Sequence, residues 1–432
     1  MLSRLFLAGV CACFVFPVWA ETLPKPSVLN STPEYPLSLS HHSVPVMNED
    51  LSRFIESVWA ASPSVKAAQS ELDVLLARKE GADQPLYNPN LILDAERSGV
   101  NTTVVGFNQT LDWSDQRDAQ RQVAHKRVLM ARAALKQVKQ QVAVDTLSAL
   151  AEYATAEQMQ VLAVYRAELI QRFMDTVKQR QLAGDMGALE GLLAQVTYSE
   201  VLMQQAAVES QLAEAKAALQ SVTGLVLTEW PALPVLPTEL ALPTVQTGEA
   251  HLKSLPELIA LFHRIEAAKL QVVVTERVNR VAPIIGVRAG REGDETLLGV
   301  SLEIPLFVRN NFQADVRARD YEVTREEQLY NVAYRRAKAR LDGSFGRYQS
   351  TAKAWQVWLT EGQLAQQEQG ELLEKMWQAG ELTATDYLVQ AKQRLETQKM
   401  AMELMGEVWQ AAIAWLDASG QINDWLNIHS PK

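Results

Sequence analysis

Cysteine is nearly absent from this chain. Of 432 residues only Cys11 and Cys13 carry a thiol, and both fall within the first 20 positions. Everything after them must gain stability without disulfides, from a large core, long helices or oligomerisation. Proline is missing from two long tracts, between Pro89 and Pro231 and between Pro305 and Pro431, so the strongest helix breaker is withheld from both. No later segment holds the run of about 18 apolar residues that a membrane-spanning helix needs. Basic residues are outnumbered: the formal net charge of -10 leaves no basic face for phosphate and argues against a nucleic-acid partner.

Catalytic signatures are missing too. There is no phosphate-binding glycine loop, so the chain is not expected to energise any process by itself. The 6 histidines are scattered. His41 and His42 read as a polar patch without a third metal ligand, and His125, His251 and His263 as helix-surface residues. Gly290 and Gly293 read as hairpin-loop glycines. No catalytic, cofactor or metal site is predicted, and the chain is not expected to be an enzyme.

What is present begins with a targeting segment. Arg4 precedes an apolar stretch from Leu5 to Val18, and Val18-Trp19-Ala20 ends it with small residues where a signal peptidase reads. Residues 1–20 are predicted to be a signal peptide, and residues 21–47 a proline-rich mature N-terminal segment. The remainder is written twice. Ser62-Pro63 parallels Leu255-Pro256, Pro89 parallels Pro283, Gly106 parallels Gly299, Leu111 parallels Ile304, and Gly184 parallels Gly380. The spacing delimits a first repeat over 48–224, a proline-rich linker over 225–250, a second repeat over 251–420 and a C-terminal tail over 421–432.

Within each repeat the apolar period changes from helix to strand and back. Residues 48–84 read as a helix. Hairpins come next over 90–113 and 282–307, with strands about ten residues long, the length a tilted strand needs to cross a bilayer. From Ser114 to Leu182 there is neither glycine nor proline, and Val128, Ala131, Leu135, Val138 and Val142 step as a coiled-coil seam. A turn near Gly184 leads into a return helix over 188–222; in the second repeat a helix over 313–378 turns near Gly380 and returns over 384–418. Two shorter helices end to end would match the one long helix in length.

Alternation puts Leu91, Leu93, Val105, Phe107, Leu298, Val300 and Leu302 on one face of the hairpins. Asp94, Glu96, Asn108, Ser301 and Glu303 share the other. The first face suits lipid and the second water, with Trp113 and Phe307 placed as interfacial aromatics or strand–helix corner residues. Four strands cannot close a barrel, which takes about eight, and open strand edges do not survive in lipid. Closure therefore requires several copies of the chain.

These motifs resemble the TolC-like outer-membrane factors over nearly the whole mature chain. Leu86-Tyr87-Asn88-Pro89-Asn90-Leu91 is similar to that family's approach to its first strand. Gly106-Phe107-Asn108-Gln109-Thr110-Leu111-Asp112-Trp113, with Arg117, resembles the strand-to-helix junction of the CzcC-like heavy-metal branch, and Gly299-Val300-Ser301-Leu302-Glu303-Ile304-Pro305-Leu306-Phe307 is its counterpart in the second repeat. The resemblance implies a mainly α fold with a small β part: a long α-helical barrel of coiled-coil hairpins in the periplasm, continuous with a transmembrane β-barrel completed by trimerisation. It implies a passive outer-membrane exit duct for metal cations or small toxic molecules. It also implies a periplasmic adaptor (membrane-fusion protein) as partner and an inner-membrane pump engaged indirectly. The adaptor is then expected to meet the helix tips, at Gly184, Asp185 and Gly187 and at Gly380, Glu381 and Thr383. Asp386 stands where the family's entrance often carries an acidic ring, and Glu190 matches it in the first repeat. A helix-starting carboxylate that complements the dipole is the other reading of Asp386. Val389 replaces the second carboxylate of that ring. The alternative function is a soluble periplasmic coiled-coil adaptor.

Overall fold

The computed structural model describes residues 49–97, 99–234, 252–306 and 309–428. These belong to a unit that runs from Pro45 to Lys432. The expected signal peptide, the proline-rich segment with His41 and His42, most of the linker, His251 and Phe307 lie outside the described residues.

The first repeat opens with α1 (Glu49–Ala61) and α2 (Pro63–Ala82). The stretch 48–84, whose pattern reads as one helix, is thus two. Pro63 sits at the first helical position of α2, where its missing N–H costs nothing, and Ser62 in an extended conformation caps it. Next come β1 (Asn90–Arg97) and β2 (Asn101–Thr110), then the 67-residue α3 (Gln116–Leu182) and α4 (Ala188–Thr223). At about 1.5 Å per residue α3 extends roughly 100 Å. The second repeat has α5 (Pro256–Val278), β3 (Ile284–Glu292), β4 (Glu295–Glu303), α6 (Gln313–Val357), α7 (Gln363–Gln378) and α8 (Ala384–Ser419). A π-helical turn over Trp358–Gly362 separates α6 from α7, so the helix read over 313–378 contains a register slip. Gly362 belongs to that turn because any Cβ there would strike the Trp358 ring.

Helix ends at the sheet are capped by side chains. The Asp112 carboxylate accepts the backbone N–H groups of Gln116 and Arg117, both at 2.8 Å, satisfying two donors left open at the start of α3. Asn310 and Asn311 play the matching role before α6.

The long helix α3 is lined by two short ones, α2 along its sheet-side half and α4 along its far half. Val65, Leu72 and Leu75 of α2 pack on Val128, Ala131 and Leu135 of α3, with Val138 and Val142 at the margin, which is the seam the sequence spacing marks. α3 also contacts α5 and α8 of the second repeat, so the repeats share one wall of helices. Alanines recur at these contacts (Ala143, Ala149, Ala151, Ala411, Ala412) and let the backbones approach closely. The largest core gathers α1, the middle of α3, the end of α8 and α9 (Ile422–Trp425). The C-terminal tail is therefore part of that core to Ile428, Ile422 being fully buried. Charge also crosses the packed helices: Glu326, only 4% exposed, is held between Arg264 and Arg325. Arg264 Nη2 donates at 3.0 Å to Oε1; its Nε lies 2.7 Å from Oε2, a contact the geometry leaves as an ion pair without a hydrogen bond.

The four strands form one antiparallel sheet in the order β1-β2-β3-β4. The central pairing, β2 with β3, joins the two repeats: Phe107 lies opposite Val287 and Val105 opposite Ala289. β1 and β4 are the edges.

Candidate functional site

Two regions carry the residues singled out by sequence: the faces of the sheet and the turns at the far ends of the helices. Register sorts the faces row by row. Leu91, Phe107, Val287 and Val300 form one row and Leu93, Val105, Ala289 and Leu298 the next, with Ile285 and Leu302 alongside. Leu298 and Val300 are 79% and 78% exposed, so a contiguous apolar surface of large side chains is left without cover in the single chain. Trp113 is 76% exposed beyond the end of β2 and, with Leu306, prolongs this surface toward the helices.

The opposite face carries Asn90, Asn108 and Ser301 in one row, with Asp94, Glu96 and Glu303 in others. It is also where the sheet glycines lie. Gly106, Arg288 and Gly299 share a row, and the Arg288 side chain lies flat over Gly299, where a Cβ would meet its Nε at 2.7 Å. Gly290 belongs to this set. Its sequence context suggests the hairpin loop, but it stands inside β3, where a Cβ would collide with the Thr103 carbonyl at 2.2 Å. Gly293 does form the loop, at φ +60°, between the paired Glu292 and Glu295.

At the tips, Gly184 and Gly380 both adopt left-handed conformations, φ +84° and +76°, which end α3 and α7. The N–H groups of Asp185 and Glu381 reach back to the carbonyls of Arg180 and Met376, each at 2.9 Å. The returns start differently. Gly187 precedes α4 without a side-chain cap, whereas the Thr383 hydroxyl accepts the Asp386 N–H at 3.1 Å and donates to the Asp386 carboxylate at 2.7 Å. Thr383 is thus the cap, and Asp386 stands exposed in the first turn of α8 with its carboxylate on the Thr383 hydroxyl. Glu190 occupies the same place in α4, half-buried and folded against Gly187.

Both tips share a core that pattern reading missed. Phe173 of α3, Trp377 of α7 and Tyr387 of α8 stack with ring centroids 4.9 to 5.5 Å apart. The Arg180 guanidinium covers the Trp377 ring at 4.4 Å and donates to the Trp377 carbonyl. Tyr387 donates to Glu374 at 2.8 Å, and burial, with that carboxylate beside it, pushes its phenol far above the usual range. Glu200 is pulled below the usual carboxylate range by its hydrogen bond from Lys392, 2.7 Å away. The available signal was three aromatics within eleven residues of a tip glycine.

The histidines divide. His125 is exposed on α3, but His263 of α5 is half-buried with Nδ1 unpartnered, contrary to its surface reading. Burial lowers its pKa, helped by Lys126 and His125 and opposed by Glu266. Among the described residues no group of acidic, histidine or cysteine side chains is placed to hold a metal, and no helix is long and apolar enough to cross a membrane.

A small sheet, apolar on one exposed face and polar on the other, built onto a duplicated set of very long helices, is a fold shared with solved outer-membrane channels. The family model for outer membrane efflux proteins matches residues 55–225. The cobalt-zinc-cadmium resistance protein CzcC of Cupriavidus metallidurans is 25% identical over 285 residues, 62% of this chain and 66%, just under two thirds, of that protein. Three solved channels share the fold. OprN gives a TM-score of 0.74 at 14% identity, with 89% of this chain and 93% of that chain covered. CusC gives 0.72 at 15%, covering 88% and 95%. The open state of MtrE from Neisseria gonorrhoeae gives 0.68 at 14%, covering 88% and 93%.

Proposed function

We propose that this chain is the passive exit duct of a tripartite efflux system, assembled as a homotrimer. The observation that carries the reading is the sheet itself. Its edges β1 and β4 are unpaired among the described residues while one of its faces is a continuous apolar surface. In lipid such edges must be paired, and three copies joined β1 to β4 give twelve strands, above the minimum of about eight for a membrane barrel. Leu91, Leu93, Val105, Phe107, Leu298, Val300 and Leu302 then meet outer-membrane lipid, and Asp94, Glu96, Asn108, Ser301 and Glu303 line the water-filled lumen.

The helices extend into the periplasm in this arrangement and bring the tips toward a periplasmic adaptor. Gly184, Asp185, Gly187, Gly380, Glu381 and Thr383 are the contact residues of that surface. Asp386 and Glu190 place carboxylates at the entrance, where a threefold set attracts cations. The energy comes from an inner-membrane pump to which the duct is joined indirectly. The cargo is a metal cation or a small toxic molecule, and kinship with a cobalt-zinc-cadmium resistance protein favours the metal.

The test is fractionation of the expressed full-length chain. The protein is expected in the outer-membrane fraction, as a detergent-extracted assembly of three that dissociates on heating. Recovery as a water-soluble single chain in the periplasm refutes the duct and favours an adaptor. For the entrance, Asp386→Asn with Glu190→Gln is expected to lower cation preference of single channels in planar bilayers without changing assembly.

A further inference from the structure

The turn end of the sheet separates charge by face. Glu96, Thr102, Glu292 and Glu295 form one register row, and its three carboxylates lie on the lumen side with Asp94. Their chain neighbours Arg97 and Arg291 point the other way, because successive strand residues alternate faces. Arg97 pairs with Asn101, and Arg291 with Thr103 and so with Ala95 and Thr296, on the same face as Leu93, Val105 and Leu298. Both arginines are exposed, and neither guanidinium has a carboxylate partner among the described residues.

Their level is informative. From Leu302 to Thr296 the face rises by six residues, about 16 Å along the barrel normal at roughly 3.4 Å per residue and about 40° of tilt. Ile304, Leu306 and Trp113 extend the apolar surface at the opposite end, bringing the span close to the ~25 Å band of outer-membrane barrels. An outward arginine is strongly disfavoured at mid-bilayer and nearly neutral at the interface. These two therefore sit at the outer headgroup layer, with forked donors that match phosphate oxygens.

We propose that Arg97 and Arg291 form a basic collar around the assembled barrel that binds the phosphate groups of anionic lipid in the outer leaflet. The collar rests on the reading of the sheet as a membrane-barrel wall. The carboxylates of the adjacent row, Glu96, Glu292 and Glu295, lie on the lumen face and so stay away from these phosphates.

The experiment uses the full-length assembly in phosphatidylcholine nanodiscs. Fluorescent lipid A with two phosphates is compared with its dephosphorylated form, on the native chain and on the double variant R97Q/R291Q. The native assembly is expected to retain the phosphorylated lipid at least about tenfold more tightly than the dephosphorylated one, and the double variant to lose that preference. R97K/R291K, which keeps the charge, is expected to retain part of it and guards against a glutamine pair that fails to assemble. Equal binding of both lipids, unchanged preference in R97Q/R291Q, or full displacement by millimolar inorganic phosphate overturns the collar. Failure of the native chain to enter nanodiscs at all refutes the barrel reading, and is distinct from insertion without lipid preference.

Discussion

Val300 and Ser301 are adjacent in β4 and point to opposite faces of the sheet. Val300 shares its row with Leu91, Phe107 and Val287, and Ser301 shares its row with Asn90, Asn108 and Gly286. Arginine placed at each tests which face meets lipid. On the lipid side of a barrel an arginine near the midplane costs about 2–4 kcal/mol, so a ring of three Val300→Arg chains loses roughly 6–12 kcal/mol. Ser301→Arg faces water and should cost little, since its new guanidinium stays hydrated. Both variants remove a small side chain and add the same charge, which cancels generic effects. Outer-membrane yield and the temperature at which the heat-sensitive assembly dissociates on a gel are the readouts. V300R should fail to assemble or dissociate far below the native temperature, while S301R behaves nearly as native. If the two variants are equally stable, or their order is reversed, the assignment of faces is wrong.

The tip core should be as sensitive as a globular one: Trp377→Ala removes a ring packed by Phe173, Tyr387 and Arg180, with an expected loss of about 3–5 kcal/mol in chemical unfolding and faster hydrogen exchange in α7 and α8. At the turn, Gly380→Ala forces a Cβ onto a left-handed residue for about 1–2 kcal/mol, and Thr383→Ala, which deletes the cap on Asp386, should cost about 1 kcal/mol in the same assay. His263 predicts a pH dependence. Its folded pKa lies below the ordinary value near 6.5, so the unfolded chain takes up the proton first. Stability is then retained above that value and lost as pH falls through it toward the folded pKa. Lys126 and His125 on α3 add to the penalty and Glu266 on its own helix relieves part of it. Melting temperatures of the native chain should fall between about pH 7.5 and pH 5 more steeply than those of His263→Gln, and parallel curves would refute the assignment.

Much of this was written locally. The duplication, the proline-free helices, the strand alternation and the tip glycines obey short-range rules, because a 3.6- or 2-residue period and a left-handed turn residue are decided by near neighbours. The seam from Val128 to Val142 was legible for the same reason. Where local rules competed, the reading blurred: Ser62-Pro63 divides what looked like one helix, and Gly362 accommodates a π turn through contact with Trp358.

Tertiary structure alone decided the rest. Nothing in either hairpin states that Phe107 lies opposite Val287, because that pairing joins strands from separate repeats and its register depends on how the helices dock. Gly290 moved from loop to strand on the same grounds, since only the neighbouring Thr103 backbone reveals the need for a missing side chain. Arg180 on Trp377 and the burial of Ile422 likewise arise from chain segments brought together in space. Sequence determined which elements form and which side of each is apolar; packing determined which of those sides meet.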